Sequence, residues 1–261
     1  MRSSVLNRTA FLSRIALAAL CCVTVWLAGC ASSKPTVDPS AQSASAEEVK
    51  QDSLRAKMGV TLVDAKGKEQ NLDAVLFSVP GKRYRMELTG PLGIGVASLL
   101  WQEEGWLMTF PTEKLYMKGV GYMVGLFGEP SIPTVNIHQV AGLFEGILLP
   151  EGYEEVEPPD DSLRVDGATY AREKTGRLFM FAKEGPHVVW LSRIGGDGKP
   201  ETIRYFDFKE FEGVEVPARI VFERGGAKYL EIRVKKINRN KSFGSGTWRL
   251  SIPGSYKAVG E

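Results

Sequence analysis

The segment that shows the architecture most clearly is Arg83-Tyr84-Arg85-Met86-Glu87-Leu88-Thr89-Gly90-Pro91-Leu92-Gly93. Its apolar side chains at positions 84, 86 and 88 alternate with the charged Arg85 and Glu87, which is the period of a strand with one buried face. Gly90 to Gly93 then supplies the residues of a turn. The segment therefore predicts a strand that ends in a Pro-Leu-Gly loop.

The same alternation recurs on both sides of this segment. Residues 106–110 carry Trp, Met and Phe at every second position, and residues 230–235 alternate Leu, Ile and Val with charged side chains. Turn-forming residues separate such runs, at 64–67, 80–82, 103–105, 195–198 and 225–226. About ten strands joined by hairpins predict an antiparallel sheet that curls or closes.

Two segments depart from this rhythm and predict helices inserted in the middle of the chain. Within residues 133–149, the apolar side chains at 137, 140, 141, 144 and 148 fall on one helical face, and Gly146 gives a break near the end. Residues 120–127 predict a second, shorter helix. The fold class expected is mainly β with inserted helices (α+β).

The first 29 residues have the pattern of a secretory signal peptide. Arg2, Arg8 and Arg14 precede an apolar run from 15 to 28, which is too short for the ~20 residues of a transmembrane helix. Their removal changes the formal net charge from +2 to −1, so nothing in the composition favours nucleic acid. Residues 30–47 are small, polar and interrupted by proline, which predicts a flexible tether. One folded domain is expected from 48 to 256.

The sequence offers little to an enzyme. It contains two histidines, His138 and His187, and lacks His-Glu-x-x-His and Gly-x-Ser-x-Gly motifs. After removal of the signal peptide, Cys30 is the one cysteine left, so neither a disulfide nor a thiolate metal site can form. We expect no catalytic residues, no metal and no cofactor.

Several predicted strands are apolar on both faces, as in 96–101 and 177–182. Such strands must be covered on both sides. The helices can supply one cover, and a second sheet, an apolar ligand cavity or a partner the other.

The order of these motifs resembles the LolA/LolB-like family of outer-membrane lipoproteins. The strand and Pro-Leu-Gly loop at 83–93 are similar to those of the LolB receptor. The segment 128–150, with its proline-containing turn, helix and Gly-x-x-Pro ending, and the strands at 216–220 and 230–238 resemble later parts of that family. Leu27-Ala28-Gly29-Cys30 resembles the lipobox, which implies cleavage before Cys30 and acylation of that residue.

The resemblance implies an unclosed, strongly curved antiparallel β-barrel lidded by helices, whose apolar hollow receives lipoprotein acyl chains. It implies an outer-membrane protein, lipid-anchored at the periplasmic face and sorted there by Ala31, that takes cargo from a periplasmic LolA-like carrier as a monomer. Leu92 and Ile94 would insert into the membrane. The alternative left open is a LolA-like envelope scaffold without a lipid ligand. The residues expected to line the hollow are Leu88, Leu100, Trp101, Trp106, Met108, Phe110, Tyr116, Phe144, Phe179, Phe181, Trp190 and Phe206.

Overall fold

A computed structural model of the chain describes residues 53–103, 105–124, 135–158 and 164–259. The predicted signal peptide, the acylated Cys30 and the tether lie outside the described residues. Every element described below belongs to one compact unit, residues 47–261. In this described part of the chain, no helix is long and apolar enough to cross a membrane.

The described residues form strands separated by short turns. These strands are β1 Leu54–Val63, β2 Glu69–Val79, β3 Arg83–Thr89, β4 Gly95–Gln102, β5 Gly105–Phe110, β6 Leu115–Val120, β7 Met123–Val124, β8 Val135–Asn136, β9 Glu154–Val156, β10 Thr169–Arg172, β11 Leu178–Glu184, β12 His187–Ile194, β13 Pro200–Phe211, β14 Val214–Arg224, β15 Ala227–Arg239 and β16 Lys257–Ala258. One α-helix, α1 Ile137–Leu143, and two short 3₁₀ helices, Pro91–Gly93 and Ser245–Trp248, complete the described elements.

Fourteen of the strands form a single sheet in the order β16-β6-β5-β4-β3-β2-β1-β15-β14-β13-β12-β11-β10-β9. All neighbours are antiparallel except β16, which runs parallel to β6. The two edge strands, β16 and β9, do not pair with each other, so the sheet is curved but unclosed. The predicted fold class is confirmed. The sheet has more strands than the sequence predicted, because short strands such as β9 and β16 lack a clear alternation.

Irregular register explains much of the curvature. The ladders shift at Lys57/Met58, Leu88/Thr89, Ala182/Lys183 and Phe222/Glu223. Extra residues of this kind bend a strand and increase its twist. A long sheet that bends repeatedly in this way encloses one of its faces.

The two faces of the sheet have different roles. We call the face that carries the main apolar cluster, with Leu76, Trp101, Phe181 and Ile220 among its members, the inner face. The opposite side is the outer face, where charged side chains such as Arg233 alternate with the buried ones. Period-two alternation therefore sorts apolar from charged side chains, as the sequence predicts.

Helix α1 packs on the inner face. The Asn136 side chain caps it by accepting hydrogen bonds from the backbone N–H groups of His138 (2.9 Å) and Gln139 (3.2 Å). The helix ends at Leu143, and Gly146 follows with a φ of +83°. The expected helix is confirmed but is shorter than the 133–149 segment suggested. The second expected helix is wrong where it can be compared: Val120 ends β6, and residues 123–124 form β7, paired with β8.

The outer face of β2, β3 and β4 is covered by the chain after β15. Trp248 forms a second buried cluster with Val79 and Leu100, joined by Phe243 and Leu250. The Arg85 Nη1 group donates to the carbonyls of residues 247 (2.9 Å) and 249 (2.8 Å), which holds this C-terminal segment in place. Around Leu100, this segment therefore supplies the second cover of the two-sided strand β4.

Candidate functional site

The Pro-Leu-Gly loop between β3 and β4 presents an apolar side chain to solvent. Leu92 is 98% exposed and Ile94 is 57% exposed. The loop is closed by a hydrogen bond from the Gly90 N–H to the Ile94 carbonyl (2.8 Å). Leu92 therefore projects from a short, hydrogen-bonded loop.

The backbone of this loop is strained at Leu92. Its φ is +63°, a left-handed conformation that costs an L-residue roughly 1–2 kcal/mol. The loop base fixes this geometry: the Thr89 hydroxyl donates to the Asp73 carbonyl (3.2 Å), and a side chain at Gly90 would press on Val96 at 3.3 Å. An exposed leucine in a costly conformation gains nothing for folding, which makes it the first candidate for a functional contact.

The space above the inner face is occupied by α1. Its four apolar side chains, Ile137, Val140, Ala141 and Leu143, are buried, and Phe144 directly after it is fully buried. Beside α1, among Val140, Leu191, Ile203 and their neighbours, there is a cavity of about 20 Å³. Such a cavity holds about one water molecule, so an acyl chain can enter here only if α1 moves.

A cluster of aromatic rings holds the start of α1 against the sheet. The His138 ring lies edge-on to Tyr84 and Trp101, with centroids 5.2 and 4.7 Å away, and Tyr122 packs at 5.4 Å. Tyr84 Oη accepts the Gly81 N–H (2.9 Å) and lies 3.1 Å from His138 Nδ1. This cluster ties the helix to β3 and β4.

Burial sets the protonation of this pair. Desolvation raises the pKa of Tyr84 and lowers the pKa of His138, so both groups are held in their neutral forms. The Tyr84 hydroxyl and Nδ1 of a neutral imidazole then share a hydrogen bond, whose donor is set by the tautomer of the ring. Burial therefore favours a neutral histidine at the start of α1.

Polar contacts hold the end of α1. Arg239 Nη2 donates to the Phe144 carbonyl (2.7 Å), and Tyr205 Oη donates to the Leu148 carbonyl (3.2 Å). Burial raises the pKa of Tyr205 far above its ordinary value, so this hydroxyl stays protonated. Side chains of β15 and β13 therefore hold the C-terminal end of the helix and the residues after it.

Most residues expected to line a hollow do lie together on the inner face. Those in the main cluster or packed against it are Leu88, Trp101, Trp106, Met108, Phe110, Phe144, Phe179 and Phe181. They enclose packed side chains and α1. They are therefore candidates for lining a hollow only in a form with α1 displaced.

Four expected cavity residues are corrected by their positions. Their sequence neighbours point to the main cluster, so alternation places them on the outer face; they are Leu100, Tyr116, Trp190 and Phe206. Leu100 packs against Trp248, and Arg219 stacks on the Phe206 ring at 3.9 Å. Composition alone could not separate the two faces of strands that are apolar on both.

The two histidines lie in separate surroundings and do not form a common polar site. His138 is surrounded by rings, whereas His187 pairs with Glu215 (2.8 Å) and stacks on Phe208. Across the described ranges there is no group of three or more side chains able to hold a metal ion. Cys30 lies outside these ranges.

Sequence reasoning missed the groups that fasten α1. Arg239 lies within the basic run 235–241, which does not indicate a helix as its partner, and alternation predicts a buried face for Tyr84 without naming a partner. Asn136 is the one local signal that was available, since an asparagine before an apolar run marks a helix start. The pairing of Arg239 with Phe144 depends on residues 95 positions apart and has no local signature.

Comparison with known proteins defines the fold. No protein-family model and no curated protein matches this chain. A solved LolA superfamily protein from Nitrosomonas europaea is similar in structure, with a TM-score of 0.50 and 14% identity, covering 78% of this chain and 95% of that one. A Vibrio parahaemolyticus domain described as an outer membrane lipoprotein-sorting protein gives a TM-score of 0.50 and 10% identity, covering 76% and 89%. The chain therefore has a LolA-like fold.

Proposed function

We propose that this protein is a LolB-like envelope lipoprotein that accepts the acyl chains of other lipoproteins and helps to insert them into the outer membrane. The observation that carries the proposal is Leu92, fully exposed at the tip of a strained, hydrogen-bonded loop on a LolA-like sheet. A leucine in this position loses burial and adds strain, and entry into a bilayer recovers the lost burial.

The same proposal assigns a role to α1. With α1 seated, the inner face is filled, which corresponds to a form without cargo. Displacement of the helix would uncover Trp101, Phe144 and Phe181 and their neighbours, an aromatic and aliphatic surface suited to hydrocarbon chains. Sheltering acyl chains from water is worth about 0.8 kcal/mol per CH₂, which is enough to repay the opening of a short helix.

We further propose that Cys30 carries the lipid anchor and holds the protein at the periplasmic face of the outer membrane. A LolA-like carrier would deliver the cargo, and the reaction would be a transfer without catalytic residues. The Vibrio neighbour's description as a lipoprotein-sorting domain supports this assignment.

The proposal is tested with a fluorescent tripalmitoylated Cys-Ser peptide as cargo. The Leu92→Glu variant should bind the peptide as the wild type does but transfer it to vesicles at least about tenfold more slowly, because a carboxylate resists entry into the bilayer. Ile194→Glu is the matched control, since Ile194 is also exposed (56%) but lies on β12 in the other half of the sheet.

Two outcomes count against the proposal. Unchanged transfer by Leu92→Glu removes the loop from the mechanism. Failure of the wild type to bind the peptide removes the receptor function altogether. That second result would favour the other candidate, an envelope scaffold with a permanently packed core, which the complete burial of Phe144 supports.

A further inference from the structure

The outer face of the sheet places like charges directly opposite each other. Lys57 of β1 lies opposite Lys236 of β15, and Arg233 of β15 lies opposite Arg219 of β14. Directly opposed like charges destabilise an antiparallel pair. Two such pairs on three adjacent strands therefore oppose folding, and nothing in the packing of the sheet requires them.

These cations are only partly neutralised. Arg219 pairs with Asp207 (3.4 Å) and Arg233 with Glu231 (2.6 Å). Lys57 and Lys236 are exposed, and no carboxylate lies within 4 Å of either among the residues that the structure describes. The surface keeps an uncompensated positive charge.

This basic surface adjoins the Leu92 loop. Leu92, Gly59, Arg233 and Lys235 line one surface depression of about 420 Å³. Gly59 is opposite Arg233 in the register, and the side chain of Lys235 lies over it and pairs with Asp73, which lines the same depression. The exposed leucine and the opposed cations therefore share one side of the molecule.

We propose that this surface binds anionic phospholipid headgroups, while Leu92 enters the hydrocarbon beneath them. The inference rests on the proposed function, because it names the chemistry of the membrane that the loop enters. Apolar side chains next to lysine and arginine are the usual pattern of proteins that lie on anionic bilayers. An anionic bilayer offers negative charge to the lysines and an apolar interior to the projecting leucine.

The test uses residues 47–261, the compact unit that holds every described strand and helix. Flotation is measured with vesicles of phosphatidylcholine alone and with 30% phosphatidylglycerol (about one lipid in three carries charge). The double variant Lys57→Gln/Lys236→Gln should bind the anionic vesicles roughly tenfold more weakly and neutral vesicles unchanged. It relieves a repulsion, so it should fold at least as well as the wild type.

Lys174→Gln/Lys199→Gln is the matched control, because it removes two exposed lysines from turns in the other half of the sheet. Its affinity should stay at the wild-type value. Equal affinity of the wild type for both vesicle types, or equal losses in the two double variants, overturns the inference. Binding to neither vesicle type also overturns the inference, and it would favour an acidic protein as the ligand of the basic surface.

Peptide transfer distinguishes this failure from failure of the proposed function. If transfer still depends on Leu92 but not on lipid charge, the receptor function stands and the headgroup site is wrong. If vesicle binding follows the lysines but no acylated peptide binds, the headgroup site stands and the receptor function is wrong.

Discussion

The Leu92 loop and helix α1 are both apolar insertions between strands of one sheet, yet they have opposite environments. Leu92 is 98% exposed, while Phe144 at the end of α1 is fully buried. Burying a leucine is worth about 1.5–3 kcal/mol, and the left-handed backbone of Leu92 costs roughly 1–2 more. The loop therefore lacks stabilisation that the helix has.

This difference separates a side chain that serves the fold from one that serves a contact. The α1 segment stabilises the form seen here by filling the inner face. Leu92 contributes nothing to the stability of that form. Its side chain is buried only when it enters another apolar environment. Both are needed for transfer in our proposal, because one region must open and the other must insert.

The largest effect is expected at Phe144. Phe144→Ala leaves a void in a fully buried position and should lower the free energy of unfolding by about 3–5 kcal/mol. Leu92→Ala, the control from the other region, should change it by less than about 0.5 kcal/mol. Urea unfolding followed by tryptophan fluorescence measures both. Similar losses in the two variants would mean that Leu92 packs against the domain in solution.

A smaller effect with the opposite sign is expected from Leu92→Gly. Glycine accepts a φ of +63° without strain, although it also gains freedom in the unfolded chain. The net result should be a stabilisation of about 0.5–1 kcal/mol relative to Leu92→Ala, together with slow peptide transfer. A glycine variant no more stable than the alanine variant in urea would show that the loop is not strained.

The sequence was sufficient for the parts of the fold that alternation controls. Strand β3 and its loop were predicted from residues 83–93, and the apolar face of α1 from the spacing of 137, 140, 141 and 144. Alternation failed where both faces of a strand are apolar, because there it cannot say which face is inner. Leu100 was assigned to the wrong side for this reason, since its partner Trp248 lies 148 positions later and has no local signal.

The candidate site was predictable only in its loop. The sequence placed Leu92 in a turn, but its exposure and positive φ depend on how β3 and β4 meet. The contacts that hold α1 depend on long-range partners, Tyr84 for His138 and Arg239 for Phe144. Strand register also decides that Lys57 lies opposite Lys236 and that Arg219 lies opposite Arg233.

The smallest expected effect on stability concerns the contact between His138 and Tyr84 at the start of α1. Burial lowers the pKa of His138 below its usual value of about 6.5, so between these two values the unfolded chain binds the proton more readily than the folded one. The contribution is therefore fully present above about pH 6.5 and is lost as the pH falls toward the folded pKa.

We expect the free energy of unfolding of the wild type to decrease from pH 7 to pH 5 relative to that of His138→Gln, whose amide oxygen can still accept from Tyr84. The matched control is Ile194→Gln, which places the same amide at an exposed position of β12, leaves both histidines in place and should keep the wild-type slope. Urea titrations at each pH measure the difference. Parallel slopes for the wild type and His138→Gln would show that the imidazole titrates freely, and that the start of α1 is held by ring packing without a neutral histidine. A slope that His138→Gln abolishes would instead give α1 a release that depends on one proton, at the end of the helix that contacts Tyr84 of β3.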